Sequence, residues 1–143
     1  MKSVREIMTD DVSCCYAGDT IFDAASKMKE LNVGAIPIVD DQKTLLGMVT
    51  DRDLVIRGYA NKKSETTNIK EVMSEHLHSV SPDATLQEAS KLMADKQIRR
   101  LPVVENGKLT GIVSLGDLSL DKYSDQAAGQ ALEEISEHTN ELH

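Results

Sequence analysis

The residues of this chain best placed to do chemistry occur twice, in Gly47 to Asp53 (GMVTDRD) and in Gly111 to Asp117 (GIVSLGD). In each, an apolar run ends in Thr or Ser, and an aspartate follows three residues later. Where a strand gives way to a helix, this spacing sets a hydroxyl, Thr50 or Ser114, at the helix N-terminus. It also sets a carboxylate, Asp53 or Asp117, one turn in. Free backbone N–H groups there favour an anion, and the hydroxyl can donate to it. An ionised carboxylate only accepts, so its natural partner is a donor such as a sugar diol. A phosphate beside sugar hydroxyls, with an apolar slot nearby, describes a ribonucleotide. The same spacing is equally a capping box, in which hydroxyl and carboxylate serve only the helix. Both readings stand at the level of sequence.

Other reactive side chains form weaker patterns. A basic pair, Arg99 and Arg100, precedes the apolar run LPVV, and Arg52 lies inside TDRD. His76 and His78 would share one strand face, and Cys14 or Cys15 lies at the equivalent strand of the other half, so zinc with a fourth ligand is an alternative to solvated histidines. No recognised metal spacing supports it. The adjacent cysteines are expected to point to opposite faces of a strand, one into the core and one outward, with no disulfide between them. No Ser-His-Asp or Cys-His arrangement is legible, GKLTG lacks the order of a phosphate-binding loop, and no HExxH occurs. The pattern favours a protein that is not an enzyme.

Composition narrows the classes further. The chain has 143 residues, 40% of them hydrophobic but only 3% aromatic, so its core must be Val, Ile, Leu, Met and Ala. Met8, Met28, Met73 and Met93 fit that role. A formal net charge of −8 argues against nucleic acid as a partner. It does not exclude a small anionic ligand, because a few local arginines override the global sign. No run of apolar residues is long enough to span a membrane, and MKSVREIMTDD carries charges where a signal peptide needs its apolar stretch. A cytoplasmic location is expected.

The chain is a duplication. Arg5 to Lys43 aligns with Lys70 to Lys108 at an offset of 65, with 8 identities in 39 positions. One residue is then lost in a turn, after which Gly47, Val49, Asp53 and Leu54 match Gly111, Val113, Asp117 and Leu118. Identity this modest persuades because the order of elements also agrees. The boundaries read as residues 1–60 for the first copy, 61–68 (NKKSETTN) for a polar linker, 69–122 for the second copy and 123–143 for an acidic C-terminal tail. In that tail, Ala128, Ala131, Leu132 and Ile135 suggest a last amphipathic helix.

Each copy reads β-α-β-β-α, an α+β unit. A short strand (Val12 to Tyr16; Leu77 to Val80) leads to a helix from about Thr20 to Asn32, or from Thr85 to about Gln97. Ile21, Ala24, Ala25, Met28 and Leu31 keep the spacing of one helical face, as do Leu86, Ala89, Leu92 and Met93. Thr20 with Asp23, and Thr85 with Glu88, form capping boxes. Hairpins follow at Ala35 to Val39 with Leu45 to Thr50, and at Leu101 to Glu105 with Leu109 to Ser114. The second turns on Asn106-Gly107, a pair suited to a type I′ turn. A closing helix begins near Asp51 or Leu115. One copy alone would be marginal in size, so the two are expected to pack sheet to sheet about a pseudo-twofold axis.

Together, Ile7-Met8-Thr9 with Val72-Met73-Ser74, Gly34 to Val39 (GAIPIV), Arg99 to Val104 (RRLPVV) and the two glycine-to-aspartate motifs resemble the CBS domain, the module named after cystathionine β-synthase. The tandem resembles a Bateman module of the stand-alone bacterial type, over roughly Val4 to Lys122. The resemblance implies a regulatory sensor that binds adenosine-containing ligands such as AMP, ADP, ATP, S-adenosylmethionine or NAD between its repeats. It needs no cofactor beyond that regulatory adenine nucleotide. It further implies that Asp53 and Asp117 hold ribose hydroxyls and that Thr50 and Ser114 touch phosphate. Main chain around Ile36-Pro37 and Leu101-Pro102 would line the adenine slot, with Thr20 and Thr85 at turns facing the same cleft. Arg99 and Arg100 would contact phosphate, Arg52 partly substituting in the first copy, which has Gly34-Ala35 at the place of the pair. The partners implied are a second copy of the chain, as a homodimer, and a separate regulated protein. The runner-up is a structural or interaction protein without nucleotide binding, its clefts empty or metal-linked, acting through dimerisation and stress-dependent contacts.

Overall fold

The computed structural model describes residues 2–75 and 78–121. Strand β1 (Cys15–Tyr16) leads through a turn into α1 (Ile21–Leu31), then β2 (Ala35–Val39), β3 (Leu45–Thr50) and α2 (Asp51–Asp53), which runs on as a π-helical turn, Leu54–Tyr59. After a 3-10 turn at Ile69–Glu71, the counterpart of one at Val4–Glu6, come α3 (Leu86–Lys96), β4 (Arg100–Glu105), β5 (Lys108–Ser114) and α4 (Leu115–Leu120). Helix, two strands and a helix occur in the same order in both copies, as the duplication predicts, while the leading strand forms in the first copy and its counterpart among the described residues is the single bridge Val80 to Val103.

Local chemistry explains the boundaries. The Thr20 hydroxyl accepts the Asp23 N–H at 3.1 Å while the Asp23 carboxylate accepts the Thr20 N–H at 2.8 Å, which closes the capping box of α1. Thr85 and Glu88 do the same for α3. Both helices end on a left-handed residue, Asn32 (φ 56°) and Gln97 (φ 57°), which stops them after equal lengths. The β4–β5 turn has positive φ at both Asn106 (55°) and Gly107 (79°), the requirement of a type I′ hairpin. The helical faces are narrower than the spacing suggested. Ile21, Ala24 and Met28 are buried, whereas Ala25 and Leu31 lie exposed, because α1 meets its sheet along one short stripe.

The chain forms two compact bodies, and they do not coincide with the repeats. One body holds residues 13–75 together with 107–109. The other holds residues 2–12, 78–106 and 110–121. In the first body, β1 pairs parallel with β2 and β2 antiparallel with β3. Its core of Cys15, Ile21, Ala24, Met28, Ile36, Ile38 and Val49 is completed by Ile69, Val72 and Met73, from the segment that leads the second repeat. In the second body, β4 and β5 form the sheet, and Val80 bridges to Val103 in parallel. Its core of Leu86, Ala89, Met93, Leu101, Val103, Val113, Leu115 and Leu118 is completed by Val4, from the segment that leads the first repeat.

Each leading segment is fastened to its adopted body in the same way. Thr9 and Ile112 exchange both backbone hydrogen bonds (2.8 and 2.9 Å), as do Ser74 and Met48 (2.8 and 3.0 Å). The contact needs glycine on the facing strand. A Cβ on Gly111 would lie 2.6 Å from Met8 Sδ and 2.9 Å from the Thr9 carbonyl oxygen, and one on Gly47 would lie 2.8 Å from both Met73 Sδ and the Ser74 carbonyl oxygen.

Two expectations need correction or fall elsewhere. Cys14 and Cys15 are both buried and both free thiols. The strand begins only at Cys15, so Cys14 is not held to strand alternation, and the Lys27 ammonium donates to its carbonyl. The amphipathic tail of Ala128, Ala131, Leu132 and Ile135 lies outside the described residues.

Candidate functional site

The two glycine-to-aspartate motifs fold alike. In the first body, the Asp53 N–H donates to the Thr50 hydroxyl at 3.1 Å and the Thr50 N–H to Asp53 Oδ2 at 2.9 Å. In the second, the Asp117 N–H donates to the Ser114 hydroxyl at 3.0 Å and the Ser114 N–H to Asp117 Oδ2 at 2.8 Å. The capping-box reading is therefore structural fact at both places. It leaves chemistry in reserve. Each hydroxyl accepts one bond and keeps its own proton to donate, and each carboxylate uses one oxygen, leaving Oδ1. Asp53 Oδ1 lies 4.0 Å from Arg57 Nε, while Asp117 Oδ1 has no hydrogen-bond partner among the described residues.

Strand pairing places these caps beside the start of the neighbouring strand. Thr50 pairs with Ala35 and Val49 with Ile36, and the Asp51 N–H donates to the Gly34 carbonyl at 3.0 Å. The equivalent bond in the second body runs from the Leu115 N–H to the Arg99 carbonyl at 2.8 Å. Thr50, Arg52 and Asp53 thus gather at the mouth of β2 with Ile36 and Pro37, and Ser114 and Asp117 gather at the mouth of β4 with Arg99, Arg100, Leu101 and Pro102. Ile36, Pro37, Leu101 and Pro102 are buried; Arg52, Arg99 and Arg100 are exposed, and none of the three guanidinium groups has an ion-pair partner among the described residues.

Thr20 and Thr85 lie elsewhere. Because β1 runs parallel to β2 with Tyr16 opposite Val39, α1 starts at the Val39 end of the sheet, and the Thr50 cap is at the Ala35 end. Thr20 there bridges to Asn68, and Ile21 N–H donates to the Thr67 carbonyl at 2.9 Å. Thr85 bridges to Ser3 in the same manner. Within each body these threonines serve as caps and anchor the leading segments.

One neighbour of the site was not singled out from sequence. Arg57 approaches Asp53 and also donates through Nη1 to the carbonyls of Met73 (3.1 Å) and Val72 (3.4 Å), tying the helix after the cap to the adopted segment. Its position four residues after Asp53 on a helix is the signal that would have found it.

The metal candidates fare differently. Cys15 is fully buried, and burial pushes its thiol up to about 11, which disfavours the thiolate a metal needs. His78 is exposed, and His76 lies outside the described residues. No group of three or more His, Cys, Asp or Glu residues able to hold a metal exists among the described residues. No helix among them is long and apolar enough to cross a membrane.

A model of the CBS domain matches residues 4–58 and again 69–120. The chain belongs to the CBS domain family. Among its relatives are the uncharacterized protein YlbB of Bacillus subtilis, 51% identical over 98% of this chain and 95% of that one, and the CBS domain-containing protein YhcV of the same organism, 49% identical over 98% and 99%. Solved CBS structures superpose well. Hypoxic Response Protein I with two coordinated zinc ions gives a TM-score of 0.76 at 36% identity, covering 82% of this chain and 97% of that one. CBSX2 in complex with AMP gives 0.75 at 28%, covering 91% and 98%. The CBS domain pair of MJ0100, in complex with 5′-methylthioadenosine and S-adenosyl-L-methionine, gives 0.72 at 26%, covering 82% and 97%. None of these matches assigns an enzymatic family to the CBS pair.

Proposed function

We propose that this CBS pair is a non-catalytic regulatory module that binds an adenosine-containing ligand and passes its occupancy to a separate protein. The observation that carries the reading is the pair of equivalent strand-mouth caps, each with a hydroxyl proton and a carboxylate oxygen to spare. The adenosine ligands of CBSX2 and MJ0100 support it. Asp53 and Asp117 take the ribose diol, Thr50 and Ser114 donate to phosphate, and the main chain at Ile36-Pro37 and Leu101-Pro102 flanks the base. Arg99 and Arg100 neutralise phosphate in the second repeat, Arg52 in the first. Thr20 and Thr85 contribute through the turns they cap. The working form is a cytoplasmic homodimer, consistent with two free thiols, and ligand acts by binding one arrangement of the chain better than another.

A thermal-shift series on protein freed of carried-over nucleotide tests this. AMP, ADP, ATP, S-adenosylmethionine and NAD are compared with and without magnesium, since a ligand that binds only the folded chain raises the melting temperature. A selective rise with one adenine ligand is expected. No rise with any of them returns the chain to an interaction protein, and a melting temperature lowered by chelator instead favours the metal-bearing state of Hypoxic Response Protein I. Arg100→Ala should weaken ATP binding more than adenosine binding, measured by calorimetry. Equal losses would remove the phosphate contact.

A further inference from the structure

The two strand mouths differ in charge at one place in the fold. In the first body, the Asp51 carboxylate leans over Gly34, and a Cβ built on that glycine would lie 3.2 Å from Asp51 Oδ2. The Asp51 side chain is oriented there, because its Oδ1 accepts the Arg52 N–H at 2.8 Å. Oδ2 has no hydrogen-bond partner among the described residues. In the second body the residue at the place of Gly34 is Arg99, and the residue at the place of Asp51 is Leu115, which is buried. The same main-chain bond, Asp51 to Gly34 and Leu115 to Arg99, fixes the equivalence. One mouth therefore carries a carboxylate where the other carries the root of an arginine, with Arg100 beside it.

Charges of both signs stand near the first mouth. Asp53 adds a second carboxylate, and Arg57 beside it is committed to the carbonyls of Val72 and Met73. Arg52 is the remaining cation, and its side chain is exposed.

We infer that Asp51 sets the ligand preference of the first-repeat site, weakening the phosphate contact that Thr50 and Arg52 offer and favouring an uncharged or cationic nucleoside, such as adenosine or a nucleoside sulfonium. The inference rests on the nucleoside reading of the Thr50–Asp53 cap given above. A ligand phosphate at the Thr50 hydroxyl would meet the Asp51 carboxylate in the adjacent residue. A neutral 5′ group would not, and a cation there would be attracted.

The test is calorimetry at low ionic strength on full-length protein carrying Asp117→Asn, which removes the second-repeat carboxylate and keeps an acceptor for the Ser114 N–H. On that background Asp51→Asn keeps the acceptor for the Arg52 N–H and removes the charge. AMP affinity should rise about threefold, as expected for one exposed charge contact, with adenosine unchanged and S-adenosylmethionine weakened. The AMP gain should shrink in high salt. Asp51→Leu, which copies the second repeat, should shift AMP in the same direction, so the inference does not depend on one variant folding well. If adenosine still binds, is lost with Asp53→Ala, and the AMP-to-adenosine ratio does not move in either Asp51 variant, the role of Asp51 is overturned and the site survives. If neither adenosine, AMP nor S-adenosylmethionine binds any of these chains, both fall together.

Discussion

At the scale of single residues, the aspartates of the two motifs hold two jobs at once. Asp117 Oδ2 closes the cap of α4 and Oδ1 has no hydrogen-bond partner among the described residues, so substitution can separate the roles. Asp117→Ala removes both and should cost about 1 kcal/mol of stability, the usual worth of a cap, along with ligand affinity. Asp117→Asn retains an acceptor for the Ser114 N–H and should leave the urea midpoint nearly unchanged while ribose binding falls. Matching losses of stability for Ala and Asn, with affinity untouched, would reduce the residue to a cap. Cys15 gives a pH signature. Its thiol is raised from 9.0 to about 11, chiefly by burial, so the folded chain holds that proton more tightly than the unfolded one. The linked stability is fully present below pH 9.0 and drains away as pH climbs toward 11. Denaturation midpoints across that window should fall in the native chain and fall less in Cys15→Ala.

At the scale of elements, each hairpin depends on a close crossing by a segment distant in sequence. Gly111 lies under Met8 and Thr9, and the obstruction to a side chain there includes a backbone carbonyl at 2.9 Å, which no change of side-chain conformation relieves. Gly111→Ala should therefore destabilise the second body by about 1–3 kcal/mol, the range for overpacking. Gly107→Ala provides a contrast, since nothing lies within 4 Å of its Cβ and only its positive φ of 79° is penalised. Comparing the two by thermal melting distinguishes crowding from backbone strain. A Gly111→Ala chain as stable as the native one would mean that the leading segment can detach without consequence.

At the scale of the whole molecule, the exchange of leading segments decides what can fold. Ile69, fully buried in the first body, comes from beyond the linker. Ile69→Ala should cost about 2–5 kcal/mol, as for other buried aliphatic truncations. A fragment ending at residue 60 lacks Ile69, Val72 and Met73 and should remain unfolded by circular dichroism. A cooperative melt from that fragment would show that a repeat is sufficient by itself. The exchange also ties each strand-mouth cap to the other repeat's leading segment. Thr9 bonds Ile112 two residues before Ser114, and Ser74 bonds Met48 two residues before Thr50.

The sequence by itself determined what short-range chemistry controls. Threonine with an acid three residues on marked both α1 and α3 to within a residue, Asn106-Gly107 fixed a hairpin, and the duplicated glycine-to-aspartate motifs located both caps. Those features are legible because each is completed within a few residues of chain. The tertiary structure alone decided which body each leading segment joins, that Cys14 is buried beside Cys15, and that Thr20 sits at the far end of the sheet from Thr50. It also set the Asp51 carboxylate over Gly34. Such contacts join residues far apart in the chain, and their energy comes from packing and strand register, which no local pattern encodes.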